Sequence, residues 1–331
     1  MKIKVQNYYD EAALRQLAEQ YHVPGFTYTV IINGKTEATK AYGIRNSETR
    51  EPMTPDTIFE AASLTKTVFS LLVLRMVDRG ILRLEDKLAD LAPELNPFAD
   101  PRSSGCTLIH ALSHGTGLVG WGDRFEYDPG TSFAYSGSGY YWLQHVLERV
   151  TGKDFCQAMQ EEILTPLGMA DSYPVMCPEL QKKESHKFDE NGIMQPFRTW
   201  VDLEGAAEPN AAWSLYTTAQ DYARFMLEIL NHHGHLSEET FDRMTSVQNR
   251  AAEAVNWGLG WGKVAQDPDV LWHWGDNGCY RSFTAMDLKT KDGVCIFCNA
   301  KLGGKLCMDL MRTLTGDGYW TEIESFIDSA E

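Results

Sequence analysis

The chain has 331 residues, of which 30 are Lys or Arg and 46 are Asp or Glu, so its formal net charge is −16. An acidic chain without a dense basic run lacks the electrostatic footprint of a nucleic-acid-binding protein. Hydrophobic residues make up 43% of the sequence and charged residues 23%, which excludes a disordered chain and is typical of a globular protein with a large core.

The sequence also lacks membrane and export signals. No stretch approaches the roughly 20 consecutive apolar residues of a transmembrane helix, and residues 1–10 lack the apolar core of a signal peptide. The seven cysteines are odd in number and lack the spacing of a disulfide framework. We therefore expect a cytoplasmic protein without a membrane span. Cys295 and Cys298 form a C-x-x-C within a predicted strand, where they would point to opposite faces, which favours core packing over a redox or metal role.

The first predicted elements are a helix over residues 8–21 and a β-hairpin. Residues 26–32 and 36–42 are rich in β-branched and aromatic side chains and flank the turn Asn33-Gly34. A second helix is predicted over residues 67–79, ending at Gly80. Its apolar residues lie on nearly every side, which is typical of a buried helix.

Residues 86–233 are predicted to be mostly helical, with amphipathic helices over 141–150 and 218–230. Short strands follow at 257–264, 270–274, 282–288 and 293–299, then a helix over 305–314 and an acidic tail, 316–331. Strands at both ends with helices between them predict an α/β (α+β) fold with a cleft between two lobes. We interpret 1–331 as a single domain whose sheet lobe comprises about 1–85 and 251–315 and whose helical lobe comprises about 86–250.

The most informative motif is Ser63-Leu64-Thr65-Lys66 at the start of the predicted buried helix. Residues three apart share a helix face, so the Lys66 amine can reach the Ser63 hydroxyl. Burial lowers a lysine pKa and favours the neutral amine, which can accept the serine proton. The alternative is that Ser63 caps the helix and Lys66 extends its amine to the surface.

Two further motifs follow in order, Tyr135-Ser136-Gly137 and His273-Trp274-Gly275. With S-x-x-K, they resemble the three motifs of serine β-lactamases and penicillin-binding proteins, in the branch that contains class C β-lactamases, DD-peptidases, D-aminopeptidases and related esterases. Secondary matches lie at residues 112–118, 128–131, 151–152, 166–169 and 212–218. The resemblance implies an antiparallel sheet built from both chain ends and flanked by helices, plus a mostly helical lobe.

The resemblance implies that Ser63 is the acylated nucleophile and Lys66 its base. It also implies that Tyr135 shuttles protons and activates water, for which the phenol needs a nearby positive charge such as Lys66. Without the resemblance, Tyr135 would be interpreted as an aromatic core residue. The backbone N–H of Asp276, with that of Ser63, would stabilise the oxyanion, and Gly275 would allow close approach of the substrate.

Two departures from the family pattern bear on the substrate. Gly137 replaces the Asn that would hold the substrate carbonyl or support Lys66. His273 and Trp274 replace the Lys and Thr that receive the substrate carboxylate in β-lactamases and DD-peptidases. Some esterases and peptidases of the superfamily carry His in that position. Gly137, His273 and Trp274 at these positions, with Gly275 and Asp276, are the candidate substrate-binding and oxyanion residues. The absence of both carboxylate-recognising groups argues against efficient hydrolysis of β-lactams or D-Ala-D-Ala.

Other candidate sites are weaker. Ser113 lies in an A-L-S-H-G stretch similar to a nucleophile elbow, but a loop follows where the elbow needs a helix. The histidines of His232-His233-Gly234-His235 lie at a helix end without a matching set of metal ligands. Several tryptophans lie near the motifs and are candidates for an apolar acyl pocket: Trp121, Trp200, Trp213, Trp272 and Trp274. No cofactor is implied.

The sequence therefore predicts a serine hydrolase that acts through an acyl-enzyme on a small-molecule ester or a D-amino-acid-type amide or peptide. A true β-lactamase or DD-carboxypeptidase is one alternative. A non-catalytic binding protein on the same fold is another, favoured by the altered motifs and opposed by the intact Ser63, Lys66 and Tyr135. The net charge indicates neutral or cationic substrates, and the sequence does not indicate an oligomeric state.

Overall fold

The structure is a computed structural model that describes residues 1–4, 10–96, 98–196 and 207–330. Its strands are β1 (Gly25–Ile32), β2 (Lys35–Gly43), β3 (Phe59–Glu60), β4 (Lys187–Phe188), β5 (Met194–Gln195), β6 (Tyr216–Thr217), β7 (Asn249–Arg250), β8 (Val255–Trp257), β9 (Gly262–Val264), β10 (Val270–Asp276), β11 (Arg281–Asp287) and β12 (Asp292–Cys298). Its helices are α1 (Glu11–Gln20), α2 (Thr65–Asp78), α3 (Leu88–Leu91), α4 (Leu108–Leu112), α5 (Gly137–Thr151), α6 (Phe155–Met159), α7 (Ala219–His232), α8 (Glu238–Thr245), α9 (Gly303–Thr315) and α10 (Trp320–Ala330).

An eight-stranded antiparallel sheet, in the order β2-β1-β12-β11-β10-β9-β8-β7, forms the centre of the molecule. The β1–β2 hairpin comes from the start of the chain and the other six strands from its last third. The two parts join where β1 pairs with β12, Phe26 lying opposite Cys298. The predicted antiparallel sheet built from both chain ends, with helices around it, is confirmed.

The sheet buries both faces, and alternate residues of β12 show which side chains lie on each. Cys295 and Phe297 belong to a core that includes α2 and α7, whereas Ile296 and Cys298 belong to a second core with α9 and α10. The C-x-x-C cysteines therefore point to opposite faces, as predicted. Cys298 instead lies against Cys307 of α9, with the sulfur atoms 3.7 Å apart.

Helix α2 is surrounded by protein, as its apolar pattern predicts. Every side chain from Thr65 to Leu74 is buried, including that of Lys66. The helix begins two residues earlier than predicted and follows a 3₁₀ turn over Ala62–Leu64. Although α2 is apolar, no helix among the described residues is long and apolar enough to cross a membrane.

Two sequence predictions about the later part of the chain are wrong. The strand expected over residues 257–264 is divided into β8 and β9, because Gly260 adopts a positive φ of 87° in the turn between them. The segment 316–331, expected to be an acidic tail, contains helix α10. Trp320, Ile323 and Ile327 recur at helical spacing on one side of α10, and this apolar stripe packs into the core beside α9.

The packing of α10 is testable with Ile323, which is fully buried. Because Ile323→Ala leaves a cavity beside α9, we expect it to lower the free energy of unfolding by about 2–4 kcal/mol. Chemical denaturation followed by far-UV circular dichroism measures this loss. Ser325→Ala, on the exposed side of α10, is the control and should change stability little. Equal stabilities of the two variants would show that α10 does not belong to the folded core.

Candidate active site

Ser63 lies in a strained turn between β3 and α2. The preceding residue, Ala62, has a φ of 51°, which a residue with a side chain rarely adopts. The Thr65 hydroxyl donates a hydrogen bond of 2.6 Å to the Ala62 carbonyl and accepts one of 3.1 Å from the Leu215 backbone N–H. These bonds hold the turn in place, so that the half-buried Ser63 hydroxyl is presented to the cleft at the start of the helix.

Lys66 lies one helical turn further along α2. Its side chain is 1% exposed, and its amine donates hydrogen bonds to Ser63 Oγ at 3.0 Å and to the Ala212 carbonyl at 2.8 Å. Burial lowers the pKa of Lys66 to about 7. The spacing of the motif thus does bring the two side chains together. With a pKa of about 7, about half of the amine is neutral at neutral pH and able to accept a proton.

Tyr135 lies on the opposite side of the cleft, directly before α5. The Lys66 amine is 4.9 Å from the centre of its ring, and the Trp274 ring is 4.7 Å away. Burial raises the pKa of Tyr135, although its nearness to Ser63 acts in the opposite direction. Lys66 does lie beside the phenol, but it does not bring this pKa down, and the role of Tyr135 as a base stays a prediction. Desolvation dominates, and Tyr135 keeps its proton.

Gly137, the first residue of α5, lies against the indole ring of Trp121. A Cβ atom at position 137 would be 2.4 Å from Trp121 Cζ2, closer than real Cβ contacts allow. Trp121 thus occupies the space that a side chain at position 137 would need. Gly137 itself lines the cleft, as predicted, but the group offered to a substrate there is an aromatic ring rather than an amide.

His273 is fully buried and does not line the cleft, contrary to its predicted role in substrate binding. Successive residues of β10 alternate between faces, so Trp272 and Trp274 pack on the side opposite to His273. The His273 ring lies behind Tyr135, with ring centres 6.1 Å apart, and its Nδ1–H donates to the Trp274 carbonyl at 2.8 Å. Burial, reinforced by Lys66, lowers the pKa of His273 to about 3, so the imidazole is neutral and supplies no cation.

The absence of a side chain at Gly275 allows a close approach within the protein itself. A Cβ atom there would lie 2.3 Å from Ser282 Oγ and 2.5 Å from the Ala61 carbonyl, so Gly275 allows β10 to pack against the turn that carries Ser63. Ser282 Oγ donates to the same carbonyl at 2.9 Å. The next residue, Asp276, does line the cleft and forms an ion pair with Arg281. The third motif therefore fixes the distance between β10 and the Ser63 turn.

The cleft has a volume of about 480 Å³. It is lined by Ser63, Lys66, Gly120, Trp121, Tyr135, Gly137, Trp213, Trp274, Asp276, Asn277 and Ala330. Among these, Lys66 is the one cationic side chain and Asp276 the one carboxylate. Aromatic rings provide most of the large side chains. The cleft is therefore suited to an uncharged, partly apolar molecule.

Sequence reasoning missed Asn277 and Ala330. The Asn277 amide donates to the Glu60 carboxylate at 2.6 Å, which ties the loop after β10 to β3 beside Ser63. Its position two residues after the third motif was the available signal. Ala330 lies near the end of α10, more than 50 residues from the motif strand. No pattern in the sequence predicts that it reaches the cleft.

The surroundings of the weaker candidate sites bear on whether they could be functional. Ser113 follows helix α4 rather than a strand, and its hydroxyl is buried and donates to the Ile109 carbonyl at 2.7 Å, so it is not a nucleophile elbow. Within the described residues, no group of three or more potential ligands could hold a metal ion. Of the five tryptophans named above, Trp121, Trp213 and Trp274 line the cleft, Trp272 lies in the core and Trp200 lies outside the described residues.

Several known proteins are similar to this chain in sequence or in fold. The sequence model of the Beta-lactamase family matches residues 11–313. Penicillin-binding protein 4 of Amycolatopsis lactamdurans is 25% identical over 91% of this chain and 87% of its own length. Esterase EstB of Burkholderia gladioli is 28% identical over 78% of this chain and 80% of its own length.

Two solved structures show the same fold. An octameric penicillin-binding protein homologue from Pyrococcus abyssi has a TM-score of 0.74 and 22% identity, over 88% of this chain and 73% of that chain. The D-alanine carboxypeptidase AmpC from Burkholderia cenocepacia has a TM-score of 0.73 and 20% identity, over 90% of this chain and 98% of that chain. With a family match that spans most of its residues and this agreement in fold, the chain belongs to the Beta-lactamase family.

Proposed function

We propose that the protein is a serine hydrolase that cleaves small, neutral esters through an acyl-enzyme on Ser63. The observation that carries this proposal is the 3.0 Å contact between Lys66 Nζ and Ser63 Oγ, made by a lysine whose pKa burial lowers to about 7. A neutral amine at this distance accepts the serine proton as the hydroxyl attacks.

In the first step, Ser63 Oγ forms a bond to the ester carbonyl carbon and Lys66 takes the hydroxyl proton. The carbonyl oxygen becomes an oxyanion, which the backbone N–H groups of Ser63 and Asp276 stabilise in this proposal. Asp276 is suitably placed because β9 pairs with β10 only at Leu271 and Trp272 among the described residues, which leaves that edge of β10 open towards the cleft.

Collapse of the intermediate breaks the bond to the alcohol, which leaves with a proton. Tyr135 is suited to deliver that proton, because it is protonated at neutral pH and lies beside both Ser63 and Lys66. The proton held by Lys66 then replaces it. A water molecule attacks the acyl-enzyme by the reverse proton path, which releases the acid and regenerates the Ser63 hydroxyl.

The lining of the cleft supports neutral esters over β-lactams and D-Ala-D-Ala peptides, whose carboxylates need a fixed cation. Lys66 is buried and only partly charged at neutral pH, His273 is uncharged, and Arg281 is paired with Asp276. Trp121, Trp213 and Trp274 provide apolar walls instead. The similarity to Esterase EstB agrees with this choice of substrate.

The nucleophile is tested by Ser63→Ala. We expect ester hydrolysis, measured with p-nitrophenyl acetate, to fall by about a thousandfold or more because the acyl-enzyme cannot form. A fluorophosphonate probe should label the native protein at Ser63 and should not label this variant. Ser113→Ala removes a buried serine from the neighbouring A-L-S-H-G stretch and should leave both labelling and hydrolysis in place. Failure of the probe to label Ser63 in the native protein would favour the non-catalytic binding protein.

The base is tested by pH dependence. Because Lys66 acts as a neutral amine, kcat/KM for ester hydrolysis should fall by about tenfold per pH unit below about 7 and level off above it. His273→Gln is the matched control, since an unperturbed histidine would titrate near the same pH. The inflection should persist in this variant, because the pKa of His273 is lowered to about 3. Loss of the inflection in His273→Gln would reassign the base.

The contact between Trp121 and Gly137 is tested by a double-mutant cycle. Gly137→Asn supplies the amide of the family motif but places its Cβ against the Trp121 ring, so kcat/KM should decrease. In Trp121→Ala/Gly137→Asn this clash is removed. The loss of transition-state stabilisation, calculated from kcat/KM, should then be smaller than the sum of the losses in the two single variants by about 1–2 kcal/mol. Trp213→Ala/Gly137→Asn is the control pair, because the three atoms nearest to a Cβ at position 137 all belong to Trp121. Additive effects in both pairs would contradict the steric explanation.

A further inference from the structure

Helix α10 lies outside the part of the chain that the family model matches, yet it reaches the cleft. The match ends at residue 313, whereas α10 covers Trp320–Ala330. Ala330, in its last turn, lines the same cleft as Ser63. An element beyond the family core therefore contributes to the lining of the candidate active site.

The helix is held firmly in this position. Trp320 and Ile323 are almost completely buried in the core beside α9. On its polar side, Lys305 forms ion pairs with Glu324 at 3.0 Å and Asp328 at 2.7 Å. Apolar anchoring in the first turns and ion pairs in the later turns fix the position of Ala330.

The helix also supports the wall of the cleft. The Phe326 ring meets Trp274 edge-on, with ring centres 6.1 Å apart and an angle of 85° between the planes. It makes a similar contact with Trp272 at 6.0 Å. Such edge-to-face contacts stabilise a particular ring orientation. Phe326 thus holds the indole of Trp274, which is the cleft wall beside Tyr135.

A second cavity, of about 170 Å³, lies on the other side of this wall. Its lining includes Trp274, Gly275, Phe283 and Ile327, so Trp274 borders both spaces and α10 contributes to both. The cleft could therefore be longer if α10 ended earlier.

From these contacts, and resting on the ester hydrolysis proposed above, we infer that α10 is the specificity-determining wall of the cleft. Ala330 and the Trp274 ring held by Phe326 limit the length of the substrate group that lies over Trp274. Esters in which this group is short are accepted, and longer chains meet the end of α10.

The test compares a short and a long ester in two series. The acyl series is p-nitrophenyl acetate and octanoate, and the alcohol series is ethyl and octyl acetate followed by titration of the released acid. In Ala330→Phe the added ring fills the end of the cleft, so the long-to-short ratio of kcat/KM should fall by about tenfold or more in one series. Ser329→Phe adds the same ring on the exposed side of α10 and should not change either ratio.

A chain ended after Asp328 provides the opposite change, since it lacks Ala330 but retains the anchoring residues Trp320, Ile323 and Ile327. Its long-to-short ratio should rise in the series that Ala330→Phe lowers. Unchanged ratios in both variants, or equal effects of Ala330→Phe and Ser329→Phe, would overturn the inference. Fluorophosphonate labelling of Ser63 in every variant separates this result from failure of the proposed function, in which the native protein itself would not be labelled.

Discussion

The burial of Lys66 is the constraint on which the rest of the site depends. An amine placed inside an apolar helix loses its hydration, and its pKa falls to about 7 because of that loss. In an unfolded chain the pKa of a lysine is near 10.4. As the pH falls below about 10, the unfolded state therefore binds this proton before the folded state does. The free energy of unfolding decreases progressively until the pH reaches about 7, where the folded state also becomes protonated. Below that pH the destabilisation by Lys66 is at its full amount. The Ser63 hydroxyl and the Ala212 carbonyl are the polar groups that offset this cost.

The altered motifs are consistent with one another around this lysine. A permanent cation at position 273 would add a charge close to Lys66, in a region where little water screens it. A neutral imidazole, hydrogen-bonded to its own strand, avoids that repulsion. The loss of a side chain at position 137 makes room for Trp121, and the indole at position 274 packs against Tyr135. At these positions, aromatic side chains line the cleft instead of groups that would bind a charged substrate.

The sequence predicted the features that depend on local spacing. A repeat of two residues in side-chain direction predicts the strands at both ends of the chain. A repeat of three to four residues predicts the buried helix and the contact between Lys66 and Ser63. What it missed depends on tertiary contacts. Trp272, His273 and Trp274 are all bulky, so alternation alone did not show which of them faces the cleft. In α10 the acidic residues masked an apolar stripe of Trp320, Ile323 and Ile327, whose partner surface on α9 exists only in the folded molecule.

Trp274 connects the two ends of the site. The centre of its indole ring lies 4.7 Å from that of Tyr135 and 6.1 Å from that of Phe326 in α10. Its backbone carbonyl accepts the hydrogen bond that orients His273. A substitution that moves this ring to admit a larger substrate therefore also moves the surroundings of the phenol that would protonate the leaving group. Because both functions share one side chain, a change in substrate size through Trp274 alters proton transfer, whereas a change at Ala330 leaves the Tyr135 contact in place.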